Sequence, residues 1–376
     1  LKKKILMLNY EFPPVGGGAA IANYYLLKEF ASNPDLEVDL VTSGSISKFE
    51  VEQFSDNIRI FKLNVCKRDP HYWTTSEIVR WTWKAYWFSR KLINENNYDL
   101  CHCWSGWPPG IIGYLFRKKI PYIIALRGSD VPGYNPRLEI LDRFAFRFIS
   151  RIICENAEVV TALSRNLKKL AERTFNGIDI EIIYNGVDAD KFKPVVSEPN
   201  FNICILFVGR LIKRKGIINL LKAFKEVCDE YKNCGLTIVG GGPKRKYLED
   251  FCKRMKIESN VNFLGAVGYR DIDKIYQKAN IFVLPSIEES LSNVIQEAMA
   301  SGLPVITTDT GAAELIDENG FIVDKGDYKQ IKKAIMEYII NPELMRKHGQ
   351  QSRKIAEKMS WSNNAKAYIE IYNSIK

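Results

Sequence analysis

Short apolar runs recur along the chain, each closed by glycine, proline or a small polar residue and most followed by a stretch of helical period. That is the pattern of strands and helices alternating in a parallel α/β sheet. In the first half the predicted strands are residues 5–9, 37–42, 58–63, 99–104, 121–126, 159–163 and 180–184, with helices over about 19–31 and from Trp107-Pro108-Pro109-Gly110 onward. Residues 193–200 are polar, carry Pro194 and Pro199, and have no period, so they read as a linker. Beyond them the alternation restarts with strands at 203–208, 236–239, 261–265 and 281–284 and a helix at about 217–231. The expected architecture is α/β with two Rossmann-like, doubly wound domains, 1–194 and 200–358.

One unit organises the rest. The run Ile281–Leu284 stops at Pro285-Ser286, a polar turn carries Glu288 and Glu289, and a helix starts at Ser292-Asn293. Val294, Ile295, Ala298 and Met299 keep helical spacing up to Gly302-x-Pro304, where a second strand begins. Glu289 and Glu297 therefore stand at the carboxyl edge of a parallel strand, where open sheets bind ligands. Carboxylates accept hydrogen bonds from hydroxyls and helix-start amides accept anions, so a ligand with both a polyol and phosphates fits. A helix-dipole charge and a solvated helix position explain the same two residues as well, and spacing does not choose.

Two further loops sit between a strand and a helix start. Glu11 to Gly18 is glycine-rich, with Gly17 and Gly18 leading into the helix; it is neither a dinucleotide fingerprint nor a P-loop, and serves a tight turn or a close approach to phosphate or sugar. Gly209 to Gly216 holds Arg210 and Lys215 between glycines, a charge pattern suited to a diphosphate or to a solvated basic loop.

Pro285-Ser286, Glu289-Ser290, Asn293-Val294 and Glu297-Ala298-Met299-Ala300 with Gly302-x-Pro304-Val305-Ile306 resemble the signature of retaining glycosyltransferases of family 4, which have the GT-B fold, two such domains facing across a cleft. The resemblance implies a sugar moved from a nucleotide-diphosphate donor, a UDP-sugar by preference, to a hydroxyl of a glycan or lipid-linked acceptor in polysaccharide or glycolipid synthesis. It assigns the first carboxylate of the pair, Glu289, to the sugar and the second, Glu297, to the ribose, and makes Ser290, Leu291, Ser292, Asn293 and Val294 part of the donor site. Gly209-Arg210-Leu211 with Lys215-Gly216 matches the family's diphosphate loop, so Arg210, Lys215 and Glu289 are the expected catalytic residues. Phe263 and Leu264 match the segment that reads the base, Gly17 and Gly18 the amino-terminal loop, and Gly311 to Glu314 a helix start near the diphosphate. Arg127 stands where many members have a histidine that reaches the donor sugar, and a planar, always-charged group there changes which sugar is favoured. The tail at about 360–376, with Trp361 and Tyr372 in helical register, matches the last helix crossing back to the first domain. A sugar-nucleotide epimerase of the same fold and a non-catalytic partner subunit are the rival readings; intact Glu289, Glu297, Arg210 and Lys215 speak against the second.

The balance of 54 Lys and Arg against 44 Asp and Glu, net +10, suits phosphates or an anionic membrane, and no nucleic-acid motif accompanies it. Eight scattered cysteines without C-x-x-C pairs read as reduced thiols of a cytoplasmic protein. Cys101-His102-Cys103 is no metal nest, because alternation in a strand sends His102 to the face opposite the thiols. Asp188-x-Asp190 and Asp271-x-Asp273 read as turn and helix caps, so neither a metal nor another cofactor is expected. The start, Leu1-Lys2-Lys3-Lys4 before four apolar residues, is too short for a signal peptide; with Leu1 in place of Met, a residue is expected to precede it. Between His71 and Ile93, Ile78, Trp81, Ala85, Phe88 and Leu92 form a core stripe. Trp83, Tyr86 and Trp87 fall off it beside Arg80, Lys84, Arg90 and Lys91, as expected of a helix lying on anionic lipid or of a wide core face.

Overall fold

The computed structural model describes residues 2–44, 48–70, 72–134, 146–175, 177–195, 203–289 and 291–375. The chain forms two compact units, one made of Leu1–Asn185 and Trp361–Lys376, the other of Gly186–Ser360.

The first unit is a sheet of β1 (Lys3–Leu8), β2 (Leu36–Ser43), β3 (Glu50–Ser55), β4 (Ile58–Leu63), β5 (Leu100–Cys103), β6 (Tyr122–Leu126), β7 (Val159–Ala162) and β8 (Ile180–Ile182), in spatial order β3-β4-β2-β1-β5-β6-β7-β8. All pairings are parallel except β3 with β4. Helices α1 (Gly18–Ala31), α2 (Thr75–Glu95), α3 (Pro109–Phe116), α4 (Arg147–Glu155), α5 (Arg165–Thr174) and α12 (Trp361–Ser374) belong to it. Central strands such as Ile5-Leu6-Met7-Leu8 are apolar at every position because helices cover both faces. Alternation along β5 works as expected. The Cys101 and Cys103 Sγ atoms lie 3.9 Å apart on one face, while His102 Nδ1 lies 2.6 Å from the Tyr372 hydroxyl of α12 on the other.

The second unit has β9 (Ile203–Val208), β10 (Cys234–Val239), β11 (Val261–Gly265), β12 (Ile281–Leu284), β13 (Val305–Thr308) and β14 (Gly320–Val323), all parallel, in order β11-β10-β9-β12-β13-β14. Its helices are α6 (Ile217–Glu230), α7 (Arg245–Arg254), α8 (Asp273–Tyr276), α9 (Asn293–Ala300), α10 (Tyr328–Ile340) and α11 (Pro342–Lys358). Each sheet reverses its winding once, between β1 and β5 in the first unit and between β9 and β12 in the second. Loops leaving the carboxyl ends of such a strand pair diverge to opposite faces and leave a crevice between them.

The structure differs from the sequence reading in several places. The polar insert before β4 holds a strand, β3, whose Glu50 and Glu52 pair with Lys62 at 3.7 and 2.5 Å instead of burying an apolar face. Helices α4, α10 and α11 and strand β14 went unread. The helix expected to start at Gly311 is a short 3-10 helix, Gly311–Leu315, that does not continue as an α-helix. The boundary also falls earlier than 194. The Val187 amide donates to the Met359 carbonyl at 2.7 Å, Phe192 packs edge-on against Tyr269 and Tyr276, and Arg353 donates to the carbonyls of Ala189 and Phe192 at 2.8 Å each, so residues 186–194 belong to the second unit. Most of the expected linker, 196–200, and Leu1 lie outside the described residues.

Candidate active site

The loops after β9 and β12 meet at the switch point of the second unit, and glycine makes the meeting possible. After Val208 the chain turns through Gly209, exposes Arg210, buries Leu211, and closes a 3-10 turn at Lys213–Lys215. Gly216 then sits at φ +66°, and a Cβ there would fall 1.9 Å from the Pro285 carbonyl oxygen. No other residue lets this turn rest against the end of β12. The Arg214 carbonyl accepts the Ile287 amide at 2.7 Å, the Glu289 carbonyl accepts the Gly311 amide at 2.9 Å, and the Thr308 hydroxyl donates to the Ser286 carbonyl. The Glu289 loop is thus held from three sides.

Inside this frame the Lys215 ammonium contacts the Glu289 carboxylate directly, and each side chain is only about 10% exposed. Among the described residues the other hydrogen bond to the Glu289 carboxylate is a long one, 3.4 Å, from the Ser286 hydroxyl. The structure therefore joins two of the three expected catalytic residues, while Arg210 lies exposed just after Gly209. The Gly311 amide is already spent on Glu289, so it does not point at a diphosphate as its expected helix start would.

Glu297 stands further along α9, where its Oε2 accepts the Tyr276 hydroxyl at 2.8 Å. Burial pushes its pKa up to about 7, against the pull of that hydrogen bond and of the Lys191 charge. Neither Tyr276 nor Lys191 was singled out in the sequence, where Tyr276 looks like one more apolar helix position. At the start of α9, Leu291 and Ser292 are buried, Asn293 and Val294 are partly exposed, and the Ser292 side chain makes no cap bond. Ser290 lies outside the described residues. On the edge strand β11, Ile238 faces Phe263 and Val239 faces Gly265, so Leu264 is the extra residue of a bulge, 42% exposed. The Phe263 carbonyl accepts Arg245 Nη2 at 3.1 Å.

Gly17, Gly18 and Arg127 belong to the first unit. Gly17 precedes the first turn of α1, and a Cβ on it would meet nothing within 4 Å, so space there is open. Arg127 follows β6, and its guanidinium forms no ion pair with Asp130 three residues on. Asp130 is buried and accepts the backbone amides of Gly106, Arg127 and Gly128 at 2.7, 2.9 and 2.7 Å, which pins the loop. The guanidinium lies 3.4 Å above the Trp104 ring and donates to Asn185 Oδ1 at 2.9 Å and to the Tyr368 hydroxyl at 3.4 Å. Its Nε is buried with no partner among the described residues, and burial lowers its pKa against the opposing influence of Tyr368 and Asp130.

Among the described residues no three His, Cys, Asp or Glu side chains converge. The Asp188 side chain accepts the Lys191 amide at 3.0 Å and Asp271 pairs with Lys274 at 2.8 Å.

Comparison with known proteins follows this division of the chain. The sequence profile of glycosyltransferase family 4 matches residues 16–191, and that of glycosyl transferases group 1 matches residues 188–355. The chain belongs to the family 4 glycosyltransferases. An uncharacterized glycosyltransferase of Methanocaldococcus jannaschii is 27% identical to it over 99% of this chain and 98% of its own. In structure the glycosyltransferase superposes on a sucrose-phosphate synthase of Thermosynechococcus elongatus with a TM-score of 0.86, 22% identity and 99% of both chains covered. The Anabaena protein Alr3699/HepE, solved with UDP and glucose, gives 0.75 at 18% identity, covering 99% of this chain and all of that one. These two likenesses are of fold, and the fold is GT-B.

The other exposed surface of note is α2. A capping box of Thr74 and Glu77 starts it, and although burial alone would raise the Glu77 pKa, bonds from the Thr74 amide, Lys67 and the Arg68 amide hold it at about 2. Trp81 and Ala85 are buried as expected. Tyr86 does not join the exposed group, since it stacks on Phe116 at 5.1 Å and 9°. Trp83 and Trp87 remain 65% and 46% exposed and line an open groove of about 400 Å³ with Phe49, Phe88, Lys84 and Lys91. No helix among the described residues is long and apolar enough to cross a membrane.

Proposed function

We propose that the switch point of the second unit binds a nucleotide-diphosphate sugar, with UDP the favoured nucleotide, and that the sugar passes with retention of configuration to a hydroxyl of a glycan or lipid-linked acceptor. The observation that carries this is the buried Lys215–Glu289 contact between the β9 and β12 loops, in a segment that matches the family profile. UDP is favoured because the similar Anabaena protein was solved with it. As the bond from the anomeric carbon to the diphosphate breaks, negative charge grows on the phosphate, and Arg210 and Lys215 supply the compensating charge. The acceptor oxygen forms its new bond on the face the diphosphate leaves, and its proton passes to a phosphate oxygen. Glu289 accepts hydroxyls of the sugar and Glu297 those of the ribose, and no metal takes part.

The reaction serves cell-surface polysaccharide or glycolipid synthesis, with the protein held peripherally on the inner face of the membrane by α2. Trp83 and Trp87 among Arg80, Lys84, Arg90 and Lys91 support that docking. A thermal-shift screen against UDP-, GDP- and ADP-sugars, followed by NMR of the product's anomeric proton, tests the reading. Stabilisation by a UDP-sugar and a retained configuration are expected; no stabilisation by any donor, or an inverted product, contradicts it.

A further inference from the structure

We propose that Glu289 distinguishes the nucleotide sugar from the nucleoside diphosphate left after transfer, by holding Lys215 until sugar hydroxyls take the lysine's place. The inference rests on the donor-site reading above and goes beyond it, because it assigns Glu289 a role in the absence of the sugar.

Each charge loses its counterion when the pair opens. Both side chains are almost fully withdrawn from water, so neither is solvated on separation. The loops do not drift apart to spread that cost. Gly216 is seated against Pro285, and the backbone bonds from Ile287 to Arg214 and from Gly311 to Glu289 fix both loop backbones. A diphosphate reaching Lys215 therefore takes the ammonium from Glu289 while the carboxylate stays where it is, with the Ser286 hydroxyl at 3.4 Å its one other partner among the described residues.

What happens next depends on the ligand. A nucleotide sugar brings hydroxyls, which donate to the carboxylate and restore its hydrogen bonds. A free nucleoside diphosphate brings none. It adds negative charge instead, because its terminal phosphate ionises a second time near neutral pH. The same lysine is thus available to the donor at little cost and to the product at a large one, which weakens product binding after each turnover without weakening the hold on the diphosphate while the sugar is attached.

The test is calorimetric titration of the full chain with UDP and with UDP-glucose, replaced by the GDP or ADP pair if the wild type binds those instead. Glu289→Gln keeps the side-chain shape and removes the charge. It is expected to bind UDP about tenfold tighter than wild type and UDP-glucose no tighter, so the preference for the sugar-bearing ligand falls about tenfold. In the Lys215→Met background the same change is expected to alter UDP affinity less than about twofold, because the coupling passes through the lysine. Glu289→Asp, which keeps the charge on a shorter arm, is expected to fall between the two and serves if Glu289→Gln does not fold. UDP binding in Glu289→Gln or Glu289→Asp that is no tighter than in wild type, while Lys215→Met weakens it, overturns the inference and leaves the donor site standing. UDP affinity unchanged by Lys215→Met overturns the donor-site reading, and the inference with it.

Discussion

Lys215 in the second unit and Arg127 in the first both follow a parallel strand, and their charges are met in opposite ways. Lys215 touches a carboxylate on a loop fixed from three sides. Arg127 touches an indole face, an amide oxygen and a phenol, and the nearby carboxylate of Asp130 is spent on three backbone amides. A cation paired in this way is neutralised before any ligand arrives, and a ligand must displace its partner. A cation held by neutral groups keeps its net charge and remains able to face an anion without breaking an ion pair. The comparison shows that a basic residue at a strand end does not define a phosphate site by itself; its partners decide what a ligand has to do.

The contrast predicts different costs of removal. Lys215→Met strands a nearly buried carboxylate and is expected to destabilise the second unit by about 3 kcal/mol. Arg127→Met strands only neutral groups and should cost the first unit about 1 kcal/mol. Urea unfolding of both variants checks this, and equal losses would break the comparison.

Glu297 sharpens it from another side. Its pKa, pushed up to about 7 by burial, exceeds the usual 4.5, so its contribution to stability is fully present below about pH 4.5 and is lost as pH rises toward 7. Glu297→Gln should therefore gain stability over wild type at pH 8 and match it near pH 4.5. Hydroxyls of a ribose favour the ionised form, so nucleotide binding at pH 6.5 should release a proton, visible as a buffer-dependent enthalpy. Binding without proton release would take the ribose away from Glu297.

Two smaller effects concern each unit's surroundings. Trp83→Ser with Trp87→Ser is expected to weaken binding to vesicles of anionic lipid severalfold, with the unfolding midpoint unchanged, and salt should do the same to wild type. Unaltered binding would return the indoles to an ordinary surface role. Excess chelator should change transfer activity less than about twofold, since Arg210 and Lys215 supply the charge a metal otherwise would. Activity restored only by a divalent ion would contradict that account.

Much of this was legible in the chain. The alternation of apolar runs and helical stretches gave the doubly wound sheets, and Glu289 and Lys215 were candidates because each lies in a strand-end loop, after Pro-Ser or Gly-Arg, whose wording resembles the family's. Their direct contact was not legible. It depends on Gly216 lying against Pro285, two positions far apart in sequence that become neighbours only through the pairing of β9 with β12. The same holds for Arg127, whose partners come from β5's exit at Trp104, from Asn185 and from the tail helix at Tyr368. Of the two readings left open for it, Tyr86 takes the wide core face: helical period places it beside the exposed face, whereas Phe116 of another helix covers it. Strand β3 was missed because its residues alternate charges against Lys62 in place of apolar side chains against a core.

The central claim, that Lys215 meets charge developing on a leaving diphosphate, is tested most directly by measuring kcat and donor Kd side by side for Lys215→Met. Charge that grows toward the transition state predicts a fall in kcat of roughly a hundredfold or more with less than about a tenfold change in Kd. Equal losses in both, or none in either, would contradict it.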